Sequence, residues 1–429
     1  MYEANWKSID SRPVPQWFHE AKFGIFIHWG VYSVPAYSGK GQYAEWYGMQ
    51  IRQPQQPAYA YHQKTYGPNM KYEDFVDGFK AELFDAKEWA RLFQRSGAKY
   101  IHFVSKHHDG FCMFPSSYAW NWNSVDVGPH RDFLMELKEA MEGTGVKFGV
   151  YHSVYEWFNP LYLRNPEEYA VDHLIPMLKE MIEKYQPWSL YTDGEWDQTS
   201  DTWHSTEFLS WLFNESSVKD TIVVNDRWGK ETRGHLGGYF TTEYGTIDGT
   251  RKIEDVELDR PFEECRGIGM SFGFNRIETT EDYLSPKELI EMLCSLVSKG
   301  GNLVINIGPA ADGTIPVIME ERLLQMGQWL SVNGEAIYGT ETYTKEAQDG
   351  VYYTKKGDKV YAILNRFPFG SALLEKVAYK PGVKARLLSS DAEITVREKD
   401  GKCELVFPPI NPDEVSCQYL YAVELTNAN

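Results

Sequence analysis

A carboxylate closes an apolar run in the segment WSLYTDGEWDQ at residues 188–198. Trp188 and Tyr191 are residue types that fill a buried strand, yet the run ends on Asp193, and Gly194 follows at once. A carboxylate at the end of a buried strand is costly unless it is hydrogen-bonded, paired with a cation or used in chemistry. Asp193 is therefore the first candidate for a functional residue.

Six further apolar runs also end on polar side chains. The residues at these ends are His28, Lys106, His107, His108, Asp109, His152, Ser153, Asn225, Asp226, Arg227, Glu243 and Asn306. A hydrogen-bonded strand end explains any single one of them. Core strands have no reason to finish on polar groups so regularly, and the set as a whole therefore favours a common site.

The histidines among these residues allow two interpretations. His28, His107, His108 and His152 could ligate a metal ion, provided that their nitrogen atoms converge at about 2.0–2.1 Å from it. Successive strand residues point to opposite faces, so His107 and His108 cannot both point inward without a bulge. Hydrogen bonding to hydroxyl groups is the favoured interpretation.

A fold that brings the strand ends together is predicted by the alternation of elements. Eight apolar runs are expected to be strands, at 22–30, 99–108, 146–153, 188–193, 221–226, 237–243, 266–272 and 302–308. Helical periodicity occurs at 82–98, 131–143, 166–185, 285–301 and 319–334. This α/β pattern predicts a closed (β/α)8 (TIM) barrel with its site at the carboxyl ends of the strands. Only ten residues separate Asp226 from Gly237, so some outer helices should be missing.

The chain changes character after about residue 337. Stretches such as GVYYTKKGDKVYAILNRF and SCQYLYAVELTN alternate apolar and polar residues between closely spaced turns. This pattern is typical of an antiparallel β-sandwich. We therefore expect a catalytic barrel at 1–337 and a C-terminal β-sandwich domain at 338–429.

The amino-acid composition indicates which kinds of molecule the protein could bind. The chain has 429 residues, a formal charge of −18 and 15% aromatic residues. The acidic balance disfavours nucleic acid and anionic membranes, and aromatic faces suit flat, amphipathic ligands such as sugars and bases. Five cysteines without CxxC spacing predict reduced core thiols. The first residues hold no basic patch followed by an apolar run, so we expect no signal peptide and a cytoplasmic location.

In order and spacing, a series of short segments resembles glycoside hydrolase family 29, the α-L-fucosidases. The segments are FGIFIHWG (23–30), EWY (45–47), KHHDGF (106–111), GVYHS followed by EW (149–157), the Asp-Gly pair 193–194, NDRWG (225–229), TTEYG (241–245), CRGIGMSFGFN (265–275) and SKGGNLVINIGPAADG (298–313). Most are weak individually, but the series is highly specific. The resemblance implies the family's fold, a barrel with some helices missing followed by a β-sandwich.

The resemblance also implies catalytic roles. Asp193 is then the nucleophile of a retaining glycosidase. Such a mechanism needs one ionised carboxylate opposite the leaving group and a second carboxyl, about 5–5.5 Å away, that protonates the departing oxygen. Glu243 in TTEYG is the first choice for this acid/base, Glu263 in PFEEC is the second and Glu45 is the third.

Sugar-binding roles follow from the same resemblance. The residues that match are His28, Glu45, Trp46, His107, His108, His152, Tyr191, Arg227 and Phe272. Tyr191 stands two positions before Asp193, hence on the same strand face. Phe272 could pack against the C6 methyl group of fucose, and simple core packing explains it equally well.

The leading hypothesis is an exo-acting, retaining α-L-fucosidase. It would remove terminal α-L-fucosyl residues from oligosaccharides or glycoconjugates through a covalent fucosyl-enzyme intermediate, with no metal or other cofactor. One alternative is a metal-dependent barrel hydrolase that uses His28, His107, His108 and Asp193 as ligands, and the other is a non-catalytic fucose-binding protein. The expected partner is a fucosylated glycan, not nucleic acid or a membrane, and a homo-oligomer is left open.

Overall fold

Eight parallel strands form a closed ring. The computed structural model describes residues 1–247, 250–252 and 260–428. The strands of the ring are β1 (Phe23–Ile27), β2 (Tyr100–Lys106), β3 (Val150–Ser153), β4 (Ser189–Asp193), β5 (Val223–Val224), β6 (Phe240–Glu243), β7 (Phe262–Gly267) and β8 (Asn302–Ile307). They pair in the order β5-β4-β3-β2-β1-β8-β7-β6. A parallel bridge between Asn225 and Tyr239 joins the two ends of this order, and the predicted barrel is confirmed.

Helices surround the ring. They are α1 (Trp6–Ile9), α2 (Gln16–Ala21), α3 (Tyr47–Gln50), α4 (Pro57–Thr65), α5 (Ala86–Arg95), α6 (Phe133–Met141), α7 (Pro160–Arg164), α8 (Pro166–Tyr169), α9 (Ile175–Tyr185), α10 (Ser205–Asn214), α11 (Pro286–Ser298) and α12 (Val317–Asn333). The sequence at the start of α11 shows why this helix begins where it does. Ser285 and Glu288 form a capping box, and Pro286 takes the first helical position. None of the helices in the described part of the chain is long and apolar enough to cross a membrane.

The outer ring is incomplete, as the sequence predicts. Within the described residues, no α-helix lies between β5 and β6. The connection is instead a series of turns anchored by Trp228, a buried residue whose Nε1 donates to the carbonyl of Asn225 at 2.7 Å. This short connection keeps Arg227 at the end of the barrel.

The seventh strand begins earlier than the sequence predicts. The apolar run at 266–272 suggests a strand there, whereas β7 spans Phe262–Gly267. Two carboxylates, Glu263 and Glu264, lie within the strand and are both buried. Buried carboxylates are rare in strands. Here they interrupt the apolar run by which a buried strand is recognised in a sequence.

The C-terminal part forms an antiparallel β-sandwich. Its strands are β9 (Glu341–Thr342), β10 (Val351–Lys356), β11 (Lys359–Leu364), β12 (Ser371–Ala378), β13 (Lys384–Leu387), β14 (Glu393–Lys399), β15 (Lys402–Val406) and β16 (Tyr421–Thr426). Val360, Leu374, Leu405 and Val423 are among the residues of its own apolar core. The sandwich contacts α12 where Trp329 Nε1 donates to the carbonyl of Leu420 at 2.8 Å. The boundary at 337–338 falls between α12 and β9, and it stays a prediction.

Candidate active site

A pocket with an empty volume of about 420 Å³ lies at the carboxyl ends of the barrel strands. Ten of the residues singled out from the sequence line it: His28, Glu45, Trp46, His107, His108, Tyr191, Asp193, Arg227, Glu243 and Phe272. The remaining lining residues are Phe26, Tyr43, Tyr151, Trp196 and Cys265. The volume suits one small ligand, such as a single sugar ring.

Asp193 is held by a cation and a hydroxyl. Its Oδ1 accepts from Arg227 Nη1 at 2.5 Å and its Oδ2 accepts from the Tyr151 hydroxyl at 2.8 Å. His108 Nε2 lies 3.6 Å from Oδ2. Burial alone would raise the pKa of Asp193, but Arg227, His108 and Tyr151 outweigh burial and lower this pKa to about 2. The carboxylate is therefore ionised and fixed in position at neutral pH.

Glu243 shares the same guanidinium. Its Oε2 lies 3.5 Å from Arg227 Nη2, and its Oε1 accepts from the Tyr43 hydroxyl at 3.0 Å. The side chain of Glu243 is 28% exposed, against 13% for Asp193. One guanidinium thus holds two carboxylates, of which Glu243 is the more accessible to solvent.

Three histidines offer neutral imidazoles to the pocket. His28 Nδ1 is 2.6 Å from Asn306 Oδ1, and His108 Nδ1 is 2.6 Å from Ser153 Oγ. Burial lowers the pKa of His28 and of His108 to about 4, and it lowers the pKa of His107 well below the usual range. A neutral imidazole has one donor and one acceptor nitrogen, which suits the hydroxyl groups of a sugar.

A bulge in β2 brings both adjacent histidines to the pocket. Val104 pairs with Tyr151 in β3, but Lys106, two residues later, pairs with the next residue, His152. The extra residue in β2 changes the alternation at the strand end. His107 and His108 follow this irregularity and both line the pocket.

Glu45 and three aromatic residues complete the wall of the pocket. Glu45 is buried, and its Oε2 accepts from the N–H of Gly273 at 2.7 Å. Burial raises the pKa of Glu45 to about 8. Trp46 stacks on Trp196 with ring centroids 6.0 Å apart, and Phe272 lies 5.0 Å from the His28 ring. The pocket thus combines polar groups with apolar faces.

The structure does not bring His152 to the pocket. His152 is buried, and its Nδ1 contacts Ser105 Oγ at 2.8 Å. Tyr151, one position earlier, faces the barrel interior and binds Asp193. Because side chains alternate along a strand, the inward position in β3 belongs to the tyrosine.

The structure does not bring Glu263 to the pocket either. Glu263 lies inside the barrel, where its carboxylate accepts from the hydroxyls of Tyr100 at 2.5 Å and Tyr239 at 3.2 Å. His102 Nε2 is 3.2 Å away, and the side chain of Glu263 is fully buried. It stands two positions before the residue of β7 that pairs with Glu243. Glu263 therefore belongs to the packed layer beneath the pocket.

Five pocket residues, Phe26, Tyr43, Tyr151, Trp196 and Cys265, were not singled out as site residues from the sequence. Tyr43 and Trp196 lie outside the strands, and no periodic pattern marks them. Tyr151 could have been found, because β3 pairs it with Tyr191 and paired residues of parallel strands face the same side.

The ligand set of the metal hypothesis is not assembled here. Among the described residues, no group of three or more His, Cys, Asp or Glu side chains is arranged to hold a metal ion. His28 and His108 each have one ring nitrogen within hydrogen-bonding distance of a protein oxygen. Asp193 is likewise bound to Arg227 and Tyr151.

Two carboxylates lie beside one guanidinium at the strand ends of a barrel. Hydrolysis of a glycosidic bond generally requires a pair of carboxyl groups. Fold and site together define the class as glycoside hydrolase.

Comparisons with known proteins identify the family. Residues 1–335 match the family model described as Alpha-L-fucosidase. The α-L-fucosidase of Dictyostelium discoideum is 43% identical over 388 residues, which cover 87% of this chain and 82% of that protein. Tissue α-L-fucosidase of Homo sapiens is 40% identical over 438 residues, covering 99% and 92%. A crystal structure of Thermotoga maritima α-fucosidase in complex with a mechanism-based inhibitor matches 100% of both chains, with a TM-score of 0.86 and 34% identity. The chain belongs to the α-L-fucosidase family.

Proposed function

We propose that this protein is an exo-acting, retaining α-L-fucosidase that hydrolyses terminal α-L-fucosyl residues of oligosaccharides or glycoconjugates. One observation carries the proposal: Arg227 binds both Asp193 and Glu243 at the edge of a pocket for one sugar ring. The family relationship supplies the identity of the sugar.

In the first step, Asp193 attacks the anomeric carbon while Glu243 donates a proton to the departing oxygen. The bond to the leaving group breaks as the bond to Asp193 Oδ forms, which gives a covalent fucosyl-enzyme. In the second step Glu243 removes a proton from water, and the water oxygen displaces Asp193 from the anomeric carbon. The products are the free alcohol and fucose with retained configuration.

Glu243 is preferred as the acid/base because of where it lies. The group has to reach the leaving oxygen first and a water molecule afterwards. Glu243 is partly exposed, whereas Glu45 and Glu263 are 1% and 0% exposed and have buried partners. Accessibility thus favours Glu243 among the three candidates.

The exo mode is supported by the closed lower half of the barrel. Tyr100 and Tyr239 belong to the cluster that fills the interior beneath the pocket, and Phe26 and Tyr191 of the same cluster line the pocket itself. A glycan can enter such a pocket only with its terminal residue. Phe272 offers an apolar face for the methyl group by which fucose differs from a fully hydroxylated sugar.

The first test is turnover of an aryl α-L-fucoside by Asp193→Gly and Glu243→Ala, with and without azide. Both variants should lose most activity on a substrate with a poor leaving group. Azide should restore Asp193→Gly with formation of β-fucosyl azide, because the anion replaces the nucleophile on the opposite face. Azide should restore Glu243→Ala with formation of the α product, because it attacks the covalent intermediate.

Glu263→Ala and Glu45→Ala are the matched controls, since each removes one buried carboxylate from the same region. If Glu263→Ala or Glu45→Ala behaves like Glu243→Ala with azide, the assignment of the acid is wrong. If the unmodified protein binds fucose but cleaves no fucoside, the non-catalytic hypothesis replaces this proposal. Loss of activity in a chelator would instead favour the metal-dependent hydrolase.

The proposed partner is a fucosylated glycan. A cytoplasmic location, independence from nucleic acid and membranes, and association into a homo-oligomer stay predictions or open points from the sequence.

A further inference from the structure

A second cavity, called here the Trp120 groove, lies next to the pocket. It has an empty volume of about 1130 Å³, and its lining includes Arg52, Glu73, Tyr118, Trp120, Phe158 and Asn159. Two short links connect it to the pocket: His108 lines the pocket while its neighbour Asp109 lines the groove. Trp157 stands between them, 5.0 Å from the Trp46 ring and 5.9 Å from the Phe158 ring.

Aromatic faces are presented to solvent in this groove. Trp120 is 80% exposed and Tyr118 is 40% exposed. The guanidinium of Arg52 lies 3.9 Å from the centre of the Phe158 ring, which gives the groove a flat amphipathic edge. An indole that is exposed to water contributes little to folding, and at a concave surface its ring face is available to a ligand.

The polar wall of the groove is fixed by a buried network. Glu156 accepts from Lys106 Nζ at 2.5 Å and from Asn159 Nδ2 at 2.9 Å, and its Oε1 lies 3.2 Å from His173 Nε2. His173 belongs to a π-helical turn at Ala170–Leu174, an irregularity that is frequent at functional sites. The wall therefore has its shape before any ligand arrives.

The charges around the groove are close to balanced. Lys106 neutralises Glu156 inside the wall, and Asp109 accepts hydrogen bonds from the Tyr72 hydroxyl and a backbone N–H. Arg52 and Glu73 carry opposite charges at the edge. Such a surface favours neither a polyanion nor a polycation. Aromatic faces with scattered donors and acceptors suit a neutral sugar, whose C–H face packs on a ring while its hydroxyls bind at the edges.

We propose that the Trp120 groove is a second carbohydrate site, which binds a neutral, fucose-free glycan segment. This second role rests on the proposed fucosidase function: a long glycan would be held with its terminal fucose in the pocket and a fucose-free segment in the groove. The groove is separate from the pocket that receives the terminal sugar, since the two share no lining residue among those described.

The test measures binding of three fucose-free probes, lactose, N-acetyllactosamine and chitobiose, by NMR titration with the pocket saturated by free fucose. At least one probe should bind, and Trp120→Ala should weaken it about 10-fold, as expected for loss of one aromatic platform. Tyr118→Ala, a second exposed position, should weaken the same probe. Phe369→Ala is the matched control, because Phe369 is 84% exposed but lies in the C-terminal part of the chain.

Absence of binding by all three probes would overturn the proposal, as would equal affinities in Trp120→Ala, Tyr118→Ala and the unchanged protein. A lower molar mass of Trp120→Ala in light scattering would also overturn it, because the indole would then belong to a subunit interface. Thermal unfolding confirms that each variant is folded. The binding test needs no turnover, so its outcome is independent of the azide experiment and the two proposals fail separately.

Discussion

Arg227→Gln is the sharpest test of the reasoning about the pocket. Arg227 is 3% exposed, with Nη1 at 2.5 Å from Asp193, Nη2 at 3.5 Å from Glu243 and Nε donating to the Thr241 hydroxyl at 3.1 Å. Thr241 in turn donates to Asp226 at 2.7 Å, which fixes the orientation of the guanidinium. Glutamine is neutral and too short to bind both carboxylates.

The size of the effect follows from the ionisation of Asp193. Burial raises the pKa of Asp193, and Arg227 is the group that lowers it most. Arg227 and the other partners of Asp193 together bring this pKa to about 2. Without Arg227 the pKa should rise towards the ordinary value of 3.8. A rise of about 2 corresponds to about 2.7 kcal/mol less stabilisation of the ionised form. If Arg227 contributes a similar amount to holding both carboxyl groups in position in the transition state, its loss lowers kcat/KM about 100-fold.

The assay is kcat/KM on an aryl α-L-fucoside as a function of pH. The acid limb should move upward in Arg227→Gln, because the nucleophile must be ionised to react. Arg12→Gln is the matched control: Arg12 donates to the carbonyls of Lys219 and Ile222 and packs on the Phe213 ring, outside the pocket. Its acid limb should not change. If Arg227→Gln keeps both its rate and its acid limb, the guanidinium does not hold the nucleophile ionised and the reasoning is refuted.

Three further predictions concern neighbouring groups. Tyr151→Phe removes one hydrogen bond from the nucleophile and should lower kcat/KM about 5-fold, for about 1 kcal/mol; an unchanged rate would place the hydroxyl outside the reaction. Glu263→Gln should lower the unfolding midpoint but leave the pH–rate profile unchanged, whereas Glu243→Gln should lower turnover of poor leaving groups about 100-fold or more. His28 and His108 have pKa values of about 4 when folded and 6.5 as the ordinary value, so the unfolded chain binds protons first as pH falls. The free energy of unfolding should therefore decrease between pH 6.5 and 4, by up to about 3 kcal/mol for each histidine. Urea titrations at both ends of this range, repeated on His28→Asn, measure it, and an equal decrease in the variant would contradict the assignment to His28.

The barrel could be predicted from the sequence because its signal is repeated. Eight apolar runs alternate with amphipathic stretches, and an error in the bounds of one element does not change the fold class that the whole pattern predicts. The error at β7 illustrates the limit: Glu263 and Glu264 are buried inside the strand, and a pattern based on hydrophobicity places them in a loop. The hydroxyls of Tyr100 and Tyr239 and the ring of His102 compensate for the burial of Glu263, and they come from β2 and from the residue before β6.

Side-chain direction was harder to predict than strand position. The segment GVYHS contains a polar His152 that attracts a functional interpretation, yet the inward position belongs to Tyr151. Period-two alternation is reliable within a strand, but its phase is set by pairing with neighbouring strands. In β2 the phase itself changes at a bulge, which is why His107 and His108 both reach the pocket. No pattern in the sequence marks the position of this bulge.

The acid/base depends on contacts that no local pattern contains. Glu243 binds Tyr43, 200 residues away, and Arg227, 16 residues away on a different connection. With these two partners the side chain of Glu243 is still 28% exposed, whereas Glu45 and Glu263 are 1% and 0% exposed. The preference for Glu243 therefore rests on the folded barrel: the motifs supply three candidates, and Glu243 at the end of β6 is the most exposed of them.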